Sequence, residues 1–382
     1  MRVSLPLSKD KVLFTPGPLT TSLEVKQAML RDAGSWHFEF NAIVQSIRTR
    51  LLQIAGLSKE SGWESILMQG TGTFGVESVI GSVVPRSGQK ILILSNGAYG
   101  ERMIQMASIL GIPVIPLRTP EDICPSSEAV AELLTSDTTI SHVAMVHCET
   151  TTGILNPIES IGKIVANRNR SFIVDAMSSF GAIPIDFEGC CIDYLISSAN
   201  KCMEGVPGFS FVLCRRSALL ASEGSARSLS LDLLGQLKGF EKNGQFRYTP
   251  PTHSILAFQR ALDEFEMEGG IEARGRRYCS NQRVLTELMD KLGFRSYLAV
   301  GVQSPIITSF IFPKHPRFSF DPFYRGLSDR GHIIYPGKIS QADTFRIGSI
   351  GRIFESDIRA LCHAIRETLE FMGIDTPFGP QP

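Results

Sequence analysis

Phe172-Ile173-Val174-Asp175-Ala176-Met177-Ser178-Ser179 is an apolar run that ends in an aspartate and then in small residues. One element later Tyr194-Leu195-Ile196 leads into Ser197-Ser198-Ala199-Asn200-Lys201-Cys202, and a turn-rich Gly205-Val206-Pro207-Gly208 follows. Both runs read as buried strands. Working outward, Ile91-Leu92-Ile93-Leu94, Val114-Ile115-Pro116-Leu117, His142-Val143-Ala144-Met145-Val146 and Phe209-Ser210-Phe211-Val212-Leu213 are of the same kind. Amphipathic segments of helical length, such as Glu101 to Leu110 and Ser127 to Leu134, lie between them. Apolar strands separated by helix-length connections predict an α/β layer with a largely parallel sheet. In such sheets the strand C-termini open onto the ligand crevice, so Asp175 and Lys201 are aimed at the same place.

Residues 252–268 read as one long helix with an apolar face of Ile255, Leu256, Ala261, Leu262 and Phe265, stopped by Gly269-Gly270. Near residue 270 the texture changes. Strand-like Ile306 to Phe312, His332 to Tyr335 and Thr344 to Ile347 precede a terminal helix carrying Ile358, Leu361, Cys362, Ile365, Leu369 and Met372 at helical spacing. This predicts a smaller α+β unit. The expected division is an N-terminal segment over 1–20, packed near the small domain and the active-site entrance, a large domain over 21–268, a small C-terminal domain over 269–375, and a tail over 376–382.

Composition narrows the function. The chain has 382 residues with 38 basic and 38 acidic side chains, 43% hydrophobic and 8% aromatic. That balance is ordinary for a globular protein and lacks the basic surplus of a nucleic-acid binder. No apolar run approaches the ~18 residues of a membrane helix. Met1-Arg2-Val3-Ser4-Leu5-Pro6 lacks the apolar core and cleavage site of a signal peptide. The cysteines are scattered, apart from the adjacent Cys190 and Cys191, with no C-x-x-C, which predicts reduced thiols and a cytoplasmic protein. The histidines show no ligand spacing, and no metal site is expected.

Gly70-Thr71-Gly72-Thr73-Phe74-Gly75 formally matches G-x-G-x-x-G. A dinucleotide site would place an acidic residue ~20 positions on, at the end of the next strand. That strand ends Leu94-Ser95-Asn96 instead, and no G-K-[ST] makes a P-loop. What remains is a Gly/Thr turn entering an apolar-faced helix over Val76 to Val84, either a plain capped turn or a seat for one phosphate monoester. Lys201, flanked by small residues, would be desolvated and available as a neutral amine for a Schiff base. Taken singly, Asp175 also reads as a helix N-cap and Lys201 as a solvated loop charge. A strand-end Asp, a Schiff-base Lys and a phosphate cup together are the parts required by pyridoxal phosphate.

The chain resembles the class V aminotransferases of the aspartate-aminotransferase superfamily, through strings spread over nearly its whole length. They are Thr15-Pro16-Gly17-Pro18-Leu19-Thr20-Thr21, the Gly70 to Thr73 cup, Asn96-Gly97-Ala98-Tyr99-Gly100, Glu149-Thr150-Thr151-Thr152-Gly153 and Asp175. Asn200-Lys201-Cys202-Met203-Glu204-Gly205-Val206-Pro207-Gly208, Tyr248-Thr249-Pro250-Pro251-Thr252-His253 and Tyr335-Pro336-Gly337-Lys338 with Gln341-Ala342-Asp343-Thr344-Phe345-Arg346-Ile347-Gly348 complete the set. The later strings resemble most the subfamily that moves the amino group of 2-aminoethylphosphonate to pyruvate.

The resemblance implies the pyridoxal-phosphate-dependent transferase fold of type I, with a mainly parallel seven-stranded sheet in the large domain and a smaller α+β C-terminal domain. It also implies roles. Lys201 carries the cofactor and shuttles the proton, Asp175 pairs with the pyridine nitrogen, and Thr71, Gly72 and Thr73 hold the phosphate. Tyr99 stacks on the ring, Thr150 meets its phenolic oxygen or the substrate, and Asn200 lies beside it. Gly17 and Arg346 meet the substrate, Arg346 through its acidic group. Thr249 reaches the phosphate of the neighbouring subunit, so the implied assembly is a homodimer with shared active sites. Read locally, Tyr99 also suits a core aromatic, Thr249 a helix cap, and Arg346 a partner for an internal carboxylate. One stretch departs from the subfamily's pattern, which is acidic after Ser35-Trp36. Here it is His37-Phe38-Glu39-Phe40-Asn41, a change that bears on amino-donor preference. Other donors keep the same cofactor, as in alanine–glyoxylate or serine–pyruvate transaminases, and a catalytically silent cofactor-binding sensor is the reading from another class.

Overall fold

The computed structural model of the chain describes residues 10–378. Met1 to Pro6, the first part of the 1–20 segment and the end of the 376–382 tail lie outside the described residues. Seven strands form the principal sheet: β1 (Trp63–Gln69), β2 (Lys90–Ser95), β3 (Val114–Arg118), β4 (Ile140–Val146), β5 (Ser171–Asp175), β6 (Tyr194–Ser198) and β7 (Phe209–Arg215). Their spatial order is β1-β7-β6-β5-β4-β2-β3. The strands from β6 through β5, β4 and β2 to β3 run parallel, whereas β7 is antiparallel to both its neighbours. Helices cover the sheet, so β2, β4, β5, β6 and β7 are buried along almost their whole length, as continuous apolar runs require.

Strand β1 is the element the apolar-run reading omits, and its composition explains why. Glu64 and Ser65 interrupt the run, yet both are buried. Arg48 donates to Glu64 from 3.1 Å and Arg216 from 2.7 Å, so the carboxylate is matched by tertiary partners that local sequence does not display. Arg48 itself comes from helix α1 (Phe38–Ile54).

Helix α2 (Gly72–Val83) and helix α3 (Ala98–Ile109) follow β1 and β2 and start at the same end of the sheet, where β5 and β6 also end. Helix α4 spans Thr252–Glu268, the predicted bounds, and stops where Gly269 takes φ +106°. Helix α5 (Gly270–Leu292) begins at once and carries Val284, Leu285 and Met289 into a second core. That core also draws on β8 (Ile307–Ile311), β10 (Thr344–Gly348) and the terminal helix α6 (Glu355–Phe371), with the half-buried β9 (Tyr335–Pro336) paired to β10. The three strands form an antiparallel sheet in the order β8-β10-β9.

The stretch His332 to Tyr335 is not one strand. His332–Ile333 pairs in parallel with Val12–Leu13, buried Ile334 intervenes, and Tyr335 then pairs with Arg346. The segment after Leu13 continues past β10, where Gly348 donates its N–H to Phe14, and on to Gly17 and Pro18 at the sheet's C-terminal edge.

Candidate active site

At that edge a cavity of about 270 Å³ collects Gly17, Thr71, Gly72, Thr73, Tyr99, Thr150, Asp175, Asn200 and Lys201, near the lower end of small-ligand sites. Chain topology brings them together. Asp175 ends β5, its register partners are Val146 on β4 and Ile196 on β6, and Asn200 and Lys201 follow the end of β6.

Asp175 is buried, and its Oδ1 accepts the N–H of Met177 at 2.9 Å. Its second oxygen has no protein donor among the described residues. Burial raises the carboxyl's pKa to about 6, with nearby Glu149 adding to the rise and the Met177 bond and Lys201 opposing it. The Lys201 Nζ donates to the carbonyls of Pro16 and Gly17 at 2.9 and 3.0 Å. Burial lowers its pKa, the direction that favours a neutral amine. Gly17 has φ +103°, and a Cβ there would lie 2.6 Å from the Asn200 carbonyl and 2.6 Å from Lys201 Cδ. A side chain at that position would displace the lysine.

The Gly/Thr turn forms another part of the cavity wall. Thr71 is the N-cap of α2 but makes no side-chain capping bond, and the N–H groups of Gly72 and Thr73 have no protein acceptor among the described residues. Free donors at a helix N-terminus attract an anion. Arg102 on α3 adds a cation, its Nη1 lying 3.3 Å from Thr73 Oγ1. No apolar or glycine pattern flags Arg102; it sits one helical turn beyond Tyr99, and only the helix register brings it to the cup.

Tyr99 is half-buried at the start of α3. Burial would raise the phenol's pKa, but Lys201, Lys338, a hydrogen bond with Thr150 and Arg346 together outweigh it, and the net direction is downward. The helix start is fixed by buried Glu149, which accepts the N–H groups of Tyr99, Gly100 and Thr151 at 3.1, 3.2 and 3.0 Å and the Thr151 hydroxyl at 2.7 Å. Sequence reasoning placed Glu149 in a string without giving it a role. His147, also unflagged, donates its N–H to the Asp175 carbonyl at 2.8 Å, and burial lowers its ring to about 4.

Arg346 lies in β10, 2% exposed, outside the cavity wall proper. Its Nε donates to the Pro336 carbonyl at 3.0 Å and its Nη1 to Thr150 at 2.8 Å. No carboxylate pairs with it among the described residues, so the internal-partner reading is not what the structure contains. Thr249 lies elsewhere, exposed in a shallow groove with Ser35 and Tyr248. It is not a helix cap, since Pro251 occupies that position of α4. His37 precedes α1, where Phe38 is exposed and Phe40 buried, and this segment does not line the cavity. Together the cavity residues could hold a flat, anionic cofactor with an electrophilic carbon at Lys201.

Residues 21–319 match the family model of the class-V aminotransferases, and the chain belongs to that family. It is 51% identical, over 94% of this chain and 97% of the relative, to a 2-aminoethylphosphonate–pyruvate transaminase of Klebsiella pneumoniae. It is 50% identical, over 95% and 97%, to the protein so named in Syntrophobacter fumaroxidans. Among solved structures, a ureidoglycine–glyoxylate aminotransferase of Bacillus subtilis superposes with TM-score 0.88 at 21% identity, covering 99% of this chain and 97% of that one. A pyridoxamine–pyruvate aminotransferase of Mesorhizobium loti gives 0.86 at 21%, over 98% and 95%. These two establish the fold, that of the type I aminotransferases. The chain is an aminotransferase.

Proposed function

We infer that this aminotransferase moves the amino group of 2-aminoethylphosphonate to pyruvate, leaving phosphonoacetaldehyde and L-alanine, and that pyridoxal phosphate is its cofactor. The observation that carries the reading is the conjunction, in one cavity, of an amine with lowered pKa, a buried carboxylate with a free oxygen, and uncapped helix N–H groups. The relatives of that name at about half identity over nearly the full length support the choice of substrates.

The residues suit the cofactor at three points. Asp175 has one oxygen left for a pyridinium N–H, and an ionic partner there keeps the nitrogen protonated. The Gly72 and Thr73 N–H groups, the threonine hydroxyls and Arg102 would hold the phosphate. Lys201 would hold the aldehyde carbon, and Tyr99 and Asn200 line the same cavity. When bound, pyridoxal phosphate supplies the electron sink for the pair released as the donor's C–H bond breaks.

The protein does the rest. Lys201, whose pKa burial lowers, takes the proton from the donor carbon and returns it as general acid. Arg346 offers its guanidinium to the acidic group of donor and acceptor, oriented by its bonds to Pro336 and Thr150. Gly17 leaves room for the lysine to swing.

A homodimer with shared sites is part of the reading. Thr249 lies outside the cavity of its own chain, so a phosphate contact from it must be made across an interface. Large exposed apolar side chains flank its groove in sequence, Trp36 and Phe38 beside Ser35 and Tyr248 beside Thr249. Eight free cysteines, mostly buried, support a reducing, cytoplasmic location; no helix among the described residues is long and apolar enough to cross a membrane.

A donor panel tests the assignment. With pyruvate as acceptor, 2-aminoethylphosphonate should exceed L-serine, glycine and taurine in kcat/KM by at least about tenfold, since the acidic group must match the site's charge. A higher kcat/KM for any of those amines would replace the donor.

A further inference from the structure

The donor and the product amino acid of this reaction differ at the group the enzyme must grip. A phosphonate, like a phosphate monoester, carries about −1.5 to −2 charges near neutral pH, whereas the carboxylate of alanine carries one. Arg346 carries a single positive charge, and two of its nitrogens already serve the Pro336 and Thr150 carbonyls. It can neutralise a carboxylate but leaves a phosphonate dianion undercompensated. Two other cations line the cavity, and both are committed: Lys201 to the reacting carbon and Arg102 to the cup at Thr73.

A fourth cation reaches the site from the small sheet. Just past β9 the ladder with β10 extends to Gly337, whose N–H bonds to the Thr344 carbonyl at 2.9 Å. A Cβ at 337 would lie 2.3 Å from that oxygen, so a side chain there would force the two strands apart. The loop that leaves Gly337 carries Lys338 over the Tyr99 ring, with Nζ 5.0 Å from the ring centroid. Further along, Ser340 donates its N–H and hydroxyl to Glu121 Oε2 at 3.0 and 3.2 Å, tethering the loop to the large domain. Among the described residues no carboxylate pairs with Lys338. An ammonium held at the site without a counter-charge is placed for an anion that arrives with the substrate.

We propose that Lys338 is the second cation for the donor's phosphonate, and that it sets the preference for a dianionic over a monoanionic amine. The proposal rests on the reading of 2-aminoethylphosphonate as donor. Its test uses the holoenzyme and the two donor half-reactions, with 2-aminoethylphosphonate and with L-alanine, followed separately by cofactor absorbance in wild type, Lys338→Met and Lys338→Arg. Losing one charge-assisted contact should lower the apparent second-order rate constant for 2-aminoethylphosphonate about 10- to 100-fold in Lys338→Met. The loss with L-alanine should be much smaller, and Lys338→Arg should recover most of the first. Binding of the amine-free ethylphosphonate should weaken in parallel while that of propionate changes little, a split that a merely structural lysine would not produce. Equal losses for both donors, or none for 2-aminoethylphosphonate, would overturn the assignment of Lys338. Failure of the wild type itself to accept 2-aminoethylphosphonate would instead remove the proposed donor, and the role of Lys338 with it.

Discussion

Asp175 and Lys201 leave the sheet from adjacent strands, and burial acts on them in opposite senses, raising the carboxyl to about 6 and lowering the amine. For Asp175 this has a consequence for stability. Its ordinary pKa is 3.8, so between about pH 4 and 6 the folded, cofactor-free protein keeps a proton that the unfolded chain has released. Stability from this group is therefore lost as pH rises through that window. Buried His147, lowered to about 4, acts the other way, since the unfolded chain binds its proton first as pH falls. Comparing wild type with Asp175→Asn isolates the aspartate. In thermal melts of the cofactor-free protein, the asparagine variant should gain stability relative to wild type as pH rises from 4 to 7. A difference that stays flat across that range would mean that the carboxyl is not held protonated by burial. With a cationic ring nitrogen bound, the same carboxylate gains a partner and the penalty should shrink.

At the scale of elements, the start of α3 is built around Glu149. The carboxylate accepts three backbone N–H groups and one hydroxyl, and Gly97 packs so closely that a Cβ there would meet its Cγ at 2.5 Å. Glu149→Ala would strand these donors and should destabilise the fold by about 3 kcal/mol, measured by denaturant unfolding. Because the same helix presents Tyr99 and Arg102, cofactor retention should fall as well. An unchanged unfolding midpoint would deny Glu149 this part. The helix also shows what sequence can reveal. Asp175 and Lys201 are legible because each ends an apolar strand, and strand ends mark the crevice of an α/β sheet. Helix α4 is legible to the residue because an apolar face meets a glycine pair. Arg102 and Lys338 are not legible, since a cation on a helix or loop looks the same whether it faces solvent or a ligand. Strand β1 and helix α5 escape for a related reason. Their charged residues are satisfied across the fold, Glu64 by Arg48 and Arg216, and Arg274 by the Cys202 carbonyl at 2.9 Å. The resemblance to class V aminotransferases supplies the roles that periodicity cannot, and Arg346 is the clearest case.

For the whole molecule, net charge is zero and no global field draws in anionic substrates. On the proposed reading recognition falls to local groups, the α2 N-terminus with Arg102 for the cofactor and Arg346 with Lys338 for the substrate. In the proposed shared-site dimer Thr249 would come from the second subunit, and subunit mixing checks this. Lys201→Ala and Thr249→Ala subunits, each weak alone, should together regain about a quarter of wild-type activity after exchange, because half of the dimers then hold one complete site. No recovery, with exchange verified, would confine each site to one chain. The central claim, a transfer of the amine from 2-aminoethylphosphonate to pyruvate through Lys201, is tested most directly by a single turnover of the holoenzyme. Mixed with 2-aminoethylphosphonate and no acceptor, the wild type should release one phosphonoacetaldehyde per site and keep the nitrogen, then deliver it to added ¹³C-pyruvate as labelled alanine. Lys201→Ala should do neither at a comparable rate. Phosphonoacetaldehyde absent from the wild-type reaction, or formed as fast by the alanine variant, would contradict the account.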